Sequence, residues 1–98
     1  MKIVAVTACP TGIAHTYMAA EKLTGAAAAL GHDIKVETQG AMGIENPITE
    51  SDVESADVAI FAVDIAIEDE YRFSGLRAIK VPVVEAIRNP EAVMAQLR

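Results

Sequence analysis

The sequence is poor in aromatic and basic residues, and these shortages exclude several classes of protein. Only 4% of the 98 residues are aromatic and none is Trp, so the core must consist of Ala, Val, Ile, Leu and Met. Eight Lys and Arg residues against 14 Asp and Glu residues give a net charge of −6. Binding to a phosphate backbone needs clustered cations, so we expect no nucleic-acid partner. The same charge balance gives no attraction to an anionic membrane.

The chain also lacks a long apolar run and a second cysteine. A membrane helix needs about 20 uninterrupted apolar residues, and no segment has such a run. The first residues also lack the charged flank and the cleavage site of a signal peptide. We therefore expect a soluble, cytoplasmic protein without direct membrane insertion. The single cysteine, Cys9, excludes an internal disulfide and dithiol chemistry within the chain. No cluster of His, Cys and carboxylate side chains is evident, so neither a metal nor a cofactor is expected.

The apolar content predicts one compact α/β domain over residues 1–98. It amounts to 52% of the chain, which is ample for one continuous core, and the length leaves no room for a second domain. Apolar runs and helical spacing predict strands at 2–8, 33–39, 57–64 and 79–84, and helices at 12–30, 49–55 and 89–98. Alternating strands and helices imply a doubly wound, mainly parallel sheet with helices on both faces.

The predicted order of the four strands is 2-1-3-4. Pro82 lies in the fourth strand and cannot donate to a ladder, so that strand is expected at an edge. In this order the first strand stands at the topological switch point, where open sheets bind ligands beyond the carboxyl ends of their strands. Cys9 follows the first strand directly, between the loops that come after Gln39 and Val63.

The segment around Cys9 combines a nucleophile with a site for an anion. The first N–H groups of a helix lack partners and carry partial positive charge, which attracts anions and stabilises a thiolate. Gly12 allows close approach of the backbone to a ligand, and Thr11 and Thr16 can add hydroxyl donors. These features predict that the loop binds a phosphoryl group beside the Cys9 thiol.

Two further functions are compatible with the same loop. A small cysteine phosphatase of the C-x5-R type has an arginine six residues after its cysteine, where this chain has His15. Its leaving group would need an acid, for which Asp64 at the end of the third strand is the candidate. The other alternative is a non-catalytic regulatory domain that only binds an anion.

Three stretches, "ACPTGIAHTYMAAEKL", "KVETQGAMGIENPIT" and "RFSG", resemble the fructose-type IIB component of the bacterial sugar phosphotransferase system. The resemblance runs along nearly the whole chain. It implies that Cys9 accepts a phosphoryl group from the phosphohistidine of a IIA partner. The group would then pass to a fructose-type sugar held by a membrane IIC partner, at the inner face of the membrane. The phosphate loop that the resemblance implies consists of Pro10, Thr11, Gly12, Ile13, Ala14, His15 and Thr16.

The loop after the second strand is expected to contribute to the partner surface. In-line transfer requires the donor histidine to come within a few ångström of the sulfur, so a partner must contact the loops that border Cys9. The predicted partner-binding residues are Gly40, Ala41, Met42 and Gly43.

Overall fold

The structure, a computed structural model, describes residues 1–10 and 13–97, which form five strands, four α-helices and one 3₁₀ helix. The strands are β1 (Lys2–Ala8), β2 (Asp33–Gly40), β3 (Gly43–Glu45), β4 (Val58–Val63) and β5 (Ala78–Val81). The helices are α1 (Ala14–Ala29), α2 (Glu50–Ser55), α3 (Val83–Arg88) and α4 (Pro90–Ala95), with a 3₁₀ helix at Glu70–Phe73.

The strands form one sheet in the order β3-β2-β1-β4-β5, in which β1 is parallel to both of its neighbours. The four predicted strands correspond to β1, β2, β4 and β5, and their predicted order is confirmed. The register aligns Ala8 at the end of β1 with Gln39 of β2 and with Val63 of β4. We call the side of the sheet where these three strands end the carboxyl edge.

Helices cover both faces of the sheet, as predicted. Alternate residues of a strand point to opposite faces, so Ile3 and Ala5 pack toward α1, whereas Val4 and Val6 pack toward the other side. The first face is covered by α1, α3 and α4, and the second by Ile48, the 3₁₀ helix and the end of α2. β1 is therefore buried on both sides, which explains its continuous apolar sequence.

The predicted number of strands was wrong by one, because residues 40–43 form a hairpin turn and not an open loop. β2 continues to Gly40, which pairs with Gly43, and β3 returns antiparallel to β2. Gly43 has φ +87°, a conformation that glycine adopts at little cost. We call residues 40–43 the hairpin turn.

The fourth predicted strand was too long at its carboxyl end. β5 lies at the edge of the sheet, but it ends at Val81, and Pro82 is the N-cap of α3 with φ −64° and ψ 150°. Proline has no N–H for the ladder and its fixed φ suits a helix start. The N–H of Val83 donates to Oδ1 of Asp64 at 3.1 Å, so α3 begins where β5 was expected to continue.

The other helices agree closely with their predictions. α2 has the predicted N-cap, Thr49, in a reciprocal capping box with Asp52. Hydrogen bonds from Lys35 and Thr49 hold the pKa of Asp52 well below its usual range. α4 has Pro90 at its first position as predicted and ends at Ala95, while Arg98 lies outside the described residues. Within the described part of the chain, no helix has the length and apolar character of a membrane span.

Candidate functional site

Cys9 lies at the carboxyl edge, directly after the central strand β1. Its side chain is 8% exposed and belongs to the buried cluster that also contains Ala19 and Leu23 of α1. The N–H of Asp64 donates to the carbonyl of Ala8 at 3.0 Å, so β1 and the chain after β4 stay paired up to the residue before Cys9. The switch-point location predicted for Cys9 is therefore confirmed.

The N-terminus of α1 follows Cys9 after a short loop. Ile13 is the N-cap residue, and its apolar side chain caps none of the N–H groups of the helix. The first intrahelical bond of this end runs from the N–H of Tyr17 to the carbonyl of Ile13. The N–H groups of residues 14–16 precede that bond and have no acceptor within the helix, and the first turn contains no acidic residue. This end of α1 therefore keeps its positive potential for an anion.

A buried hydrogen bond ties the first turn of α1 to β1. The hydroxyl of Thr7 donates to the carbonyl of Thr16 at 3.0 Å, and both side chains are fully buried. The hydroxyl oxygen of Thr16 has no hydrogen-bond partner among the residues that the structure describes. Thr16 thus faces the interior, whereas the sequence suggested a hydroxyl that reaches a ligand.

The remaining residues of the predicted phosphate loop divide into two groups. Pro10, Ile13, Ala14 and His15 are exposed, and His15 is the second residue of α1. Thr11 and Gly12 lie outside the described residues, and the predictions for them stay predictions.

Asp64, the candidate acid of a phosphatase, has a structural role. Its carboxylate accepts the hydrogen bond from Val83 that starts α3, and its N–H pairs with Ala8. Two arginines have partners away from the Cys9 loop: Arg77 donates to the carbonyls of Gln96 and Leu97, and Arg72 binds Glu37 as described next.

A buried polar network stands near the carboxyl edge, on the face opposite α1. Glu37 of β2 is fully buried, and each of its carboxylate oxygens accepts from the guanidinium of Arg72, at 2.8 and 2.9 Å. The carboxylate also accepts from the N–H of Ile48 at 2.8 Å and from the side-chain amide of Gln39 at 2.7 Å. Arg72 further donates to the carbonyls of Ile48 and Asp69. We call Glu37, Gln39 and Arg72 the polar network.

This network was not predicted from the sequence. Its signal was Glu37 itself, a carboxylate between Val36 and Thr38 in a strand of a sheet predicted to carry helices on both faces. A carboxylate covered in this way requires a cation and hydrogen-bond donors. Burial alone would raise the pKa of Glu37, but the hydrogen bonds from Arg72, Gln39 and Ile48 outweigh it and hold the pKa below the ordinary value of 4.5. Glu37 is therefore an ionised member of a buried ion pair at neutral pH.

β3, which follows the hairpin turn, is joined to α1 by a side-chain contact. The hydroxyl of Tyr17 donates to the carboxylate of Glu45 in β3, and this bond, with some burial and the nearby charge, raises the pKa of Tyr17. The contact places Glu45 of β3 beside the first turn of α1. The contribution of the hairpin turn to a partner surface around Cys9 stays a prediction.

Three exposed apolar side chains follow the strands that end at the carboxyl edge. Met42 in the hairpin turn is 77% exposed, Ile13 before α1 is 58% exposed and Ile65 after β4 is 41% exposed. Each follows a different strand of the central three, so together they surround the place where Cys9 emerges. Apolar residues in such a cluster are typical of a protein-binding surface.

Comparison with known proteins gives consistent matches along the chain. The family model described as "PTS system, Lactose/Cellobiose specific IIB subunit" matches residues 4–96. The fructose-like EIIB component 2 of Escherichia coli strain K12 is 51% identical over 96 residues, which cover 98% of this chain and 91% of that protein. The fructose-specific EIIABC component of Bacillus subtilis is 50% identical over 93 residues, which cover 95% of this chain and 14% of the longer protein.

Solved structures show the same similarity. A domain of the fructose-specific IIABC component of Borrelia burgdorferi has a TM-score of 0.93 at 53% identity, covering 98% of this chain and 91% of that one. The structure described as a predicted fructose-specific IIB from Escherichia coli has a TM-score of 0.94 at 40% identity, covering 99% and 86%. Similarity in sequence and in fold thus extends over the whole sheet and the elements that surround Cys9.

Proposed function

Because this chain belongs to the fructose-type IIB components of the sugar phosphotransferase system, which act in the phosphoryl relay of sugar uptake, we propose that Cys9 carries the phosphoryl group. The supporting observation is the position of Cys9 between the end of the central strand and the uncapped N-terminus of α1. A thiolate and a phosphoryl group are both anions, and both are stabilised at such a helix terminus.

The proposed transfer consists of two in-line displacements. In the first, the Cys9 thiol loses its proton to solvent and its sulfur attacks the phosphorus of a IIA phosphohistidine. The S–P bond forms while the N–P bond breaks, and the donor histidine keeps the electron pair. In the second, a sugar hydroxyl held by a IIC partner attacks the phosphorus and gives up its proton. The S–P bond then breaks and Cys9 returns to the thiolate.

The phosphoryl oxygens are proposed to lie against the loop that follows Cys9, residues 10–16. The N–H groups of Ala14, His15 and Thr16 have no acceptors within α1 and can donate to them. The exposed ring of His15 can add a further donor. For Thr16 we assign this role to the main chain, because its hydroxyl is buried. Thr11 and Gly12 complete the proposed loop.

The proposed partner surface is the carboxyl edge itself. A IIA donor and a IIC acceptor must both reach Cys9, so they must use the same approach in turn. Gly40, Ala41, Met42 and Gly43 of the hairpin turn lie on this approach, and the exposed apolar side chains there favour protein contacts. Longer relatives are named EIIABC and EIIBC components, which supports the proposal that this chain works with other components of the phosphotransferase system. We expect the protein to act at the inner face of the membrane, next to IIC.

Replacing Met42 with Gln is expected to weaken the binding of a IIA donor by about 10–100-fold. Burial of a methionine side chain contributes about 1.5–3 kcal/mol, and glutamine of similar length loses most of that contribution. Binding is measured by calorimetry with the native chain and the variant. Leu30→Gln is the matched control, because Leu30 is 55% exposed but lies at the other end of α1. Equal weakening in both variants, or none with Met42→Gln, contradicts the proposed surface.

A phosphorylation experiment separates the relay from its two alternatives. When the protein is mixed with a phosphorylated IIA domain, we expect a covalent adduct of one phosphoryl group on Cys9, found by mass spectrometry. The adduct should outlast removal of the donor and return to IIA faster than it yields inorganic phosphate. Hydrolysis should be slow because Asp64 is engaged as a helix cap and His15 stands where a phosphatase has arginine.

The alternatives predict different products in the same experiment. A phosphatase would release phosphate in many turnovers, from aryl phosphates as well as from IIA. A regulatory anion-binding domain would bind phosphate reversibly without an adduct. Either product in place of a stable phosphocysteine would overturn the relay proposal.

A further inference from the structure

The side chain of Gln39 bridges two segments that lie on opposite sides of β1. Its amide nitrogen donates to Oε2 of Glu37 at 2.7 Å and to the carbonyl of Glu68 at 3.2 Å. Its amide oxygen accepts from the N–H of Glu68 at 2.8 Å. The side-chain amide of Gln39 thus uses both of its N–H groups and its oxygen. Its paired bonds to the N–H and carbonyl of Glu68 resemble those between two strands.

This bridge crosses the end of β1 in the last aligned row before Cys9. Gln39 is aligned with Ala8, and Ala8 is aligned with Val63, the last residue of β4. Glu68 belongs to the segment of residues 64–69, which follows β4 and which we call the edge segment. Gln39 therefore reaches from β2 past Ala8 to the edge segment.

The edge segment is held at both of its ends as well. Asp64 pairs with Ala8 through its N–H and with Val83 through its carboxylate. At the other end, the carbonyl of Asp69 accepts from Nε of Arg72 at 2.8 Å. Between these two anchors the edge segment bonds to Gln39 of β2 through both main-chain groups of Glu68, and the Glu68 carbonyl also accepts from Nη2 of Arg72 at 3.3 Å.

Only an amide side chain satisfies all three bonds of this position. A carboxylate of the same shape would place an oxygen against the Glu37 carboxylate and the Glu68 carbonyl, both of which are acceptors. An apolar side chain would leave the N–H and the carbonyl of Glu68 without this partner. The identity of residue 39 therefore decides whether the N–H of Glu68 is bonded directly to β2, whereas Arg72 holds the carbonyls of Glu68 and Asp69 from its ion pair with Glu37.

We propose that Gln39 is a positioning residue for the chemistry of Cys9, acting by fixing the edge segment across the carboxyl end of β1. The kinetic part of this inference rests on the proposed function. The edge segment carries Ile65, one of the exposed apolar side chains of the partner surface, and begins beside the main chain that leads into Cys9. A loosened edge segment weakens the main-chain pairing with Ala8 that leads into Cys9 and changes the surface over which a donor approaches the sulfur.

The test compares Gln39→Glu and Gln39→Leu with the native chain. Gln96→Glu is the matched control, because Gln96 is exposed and lies at the end of α4, away from the edge segment. Circular dichroism and thermal unfolding establish that the variants fold. The first readout is the amide chemical shifts of residues 64–69. The second is the rate of Cys9 alkylation by iodoacetamide, and the third is kcat and KM with a phosphorylated IIA donor.

We expect both Gln39 variants to shift the amides of the edge segment and to change the alkylation rate of Cys9 several-fold, since Ala8, the residue before Cys9, pairs with the edge segment through the N–H of Asp64. We expect kcat to fall by about 10–100-fold, the effect of a misplacement of about 1 Å. The control should match the native chain in every readout. Folded Gln39 variants with native shifts, alkylation and kcat would overturn the inference. If even the native chain fails to accept phosphate, the proposed function fails, while shifts and alkylation still decide the inference.

Discussion

We expect the replacement of Cys9 with Ser to abolish phosphoryl acceptance and to leave the fold in place. A serine hydroxyl at the same position stays protonated near neutral pH and is a far weaker nucleophile than a thiolate. Loss of the nucleophile in covalent catalysis lowers the rate by several orders of magnitude, so no phosphoprotein should form within the time of a native reaction. Serine is close to cysteine in size, and position 9 is 8% exposed, so the packing around it changes little.

The measurement is the fraction of phosphorylated protein over time after addition of phosphorylated IIA, followed by mass spectrometry of the intact chain. Cys9→Ala serves as the second variant, because it removes the nucleophile without introducing a buried hydroxyl. Both variants should bind the unphosphorylated donor with native affinity and show native circular dichroism. Phosphorylation of Cys9→Ser at a rate near that of the native chain would place the acceptor elsewhere.

The parts of the fold that followed from the sequence are those whose local pattern and tertiary role agree. β1 and β4 are continuous apolar runs because they are buried on both faces, and α2 is marked by a capping box that is complete within four residues. The errors arose where one residue type is compatible with two local structures. Pro82 was interpreted as an edge-strand residue but starts a helix. The glycines of the hairpin turn marked a change of direction without revealing that β3 follows it.

The same distinction applies to the candidate site. Cys9 and the loop after it were predicted because the strand, the turn and the helix start are contiguous in sequence. The chemistry of Cys9 could therefore be inferred from the residues next to it in the chain. The polar network was missed because its members are brought together only by the fold. Glu37 and Arg72 are 35 residues apart, and Gln39 and Glu68 are 29 apart. A single sequence shows that Glu37 needs a partner but not which arginine supplies it.

Replacing Arg72 with Met is expected to lower the free energy of unfolding by about 3–5 kcal/mol at neutral pH. The reason is that Glu37 is fully buried, so removal of the cation leaves an uncompensated carboxylate in the interior. For a domain of this size each kcal/mol corresponds to about 4–8 °C in Tm. Urea unfolding of native chain and variant measures the difference. Arg77→Met is the matched control, since Arg77 donates to the main-chain carbonyls of Gln96 and Leu97 and its removal leaves no buried charge unpaired.

The double variant Glu37→Gln/Arg72→Met, which lacks both charges of the buried ion pair, should be more stable than Arg72→Met.

The pH dependence of this difference identifies its cause. In the native chain the pKa of Glu37 lies below its ordinary value of 4.5, so the stabilisation is present above that value and is lost as the pH falls through the folded-state pKa. Without Arg72, burial is no longer outweighed and raises the pKa of Glu37. The folded variant then favours the protonated acid, and its stability falls as the pH rises through that raised pKa. The native chain and Arg72→Met should therefore differ most at neutral pH and converge on acidification, whereas the effect of Arg77→Met should stay nearly constant. A loss in Arg72→Met that is independent of pH would mean that Arg72 stabilises the fold by packing and by its bonds to Ile48 and Asp69, and not by neutralising Glu37.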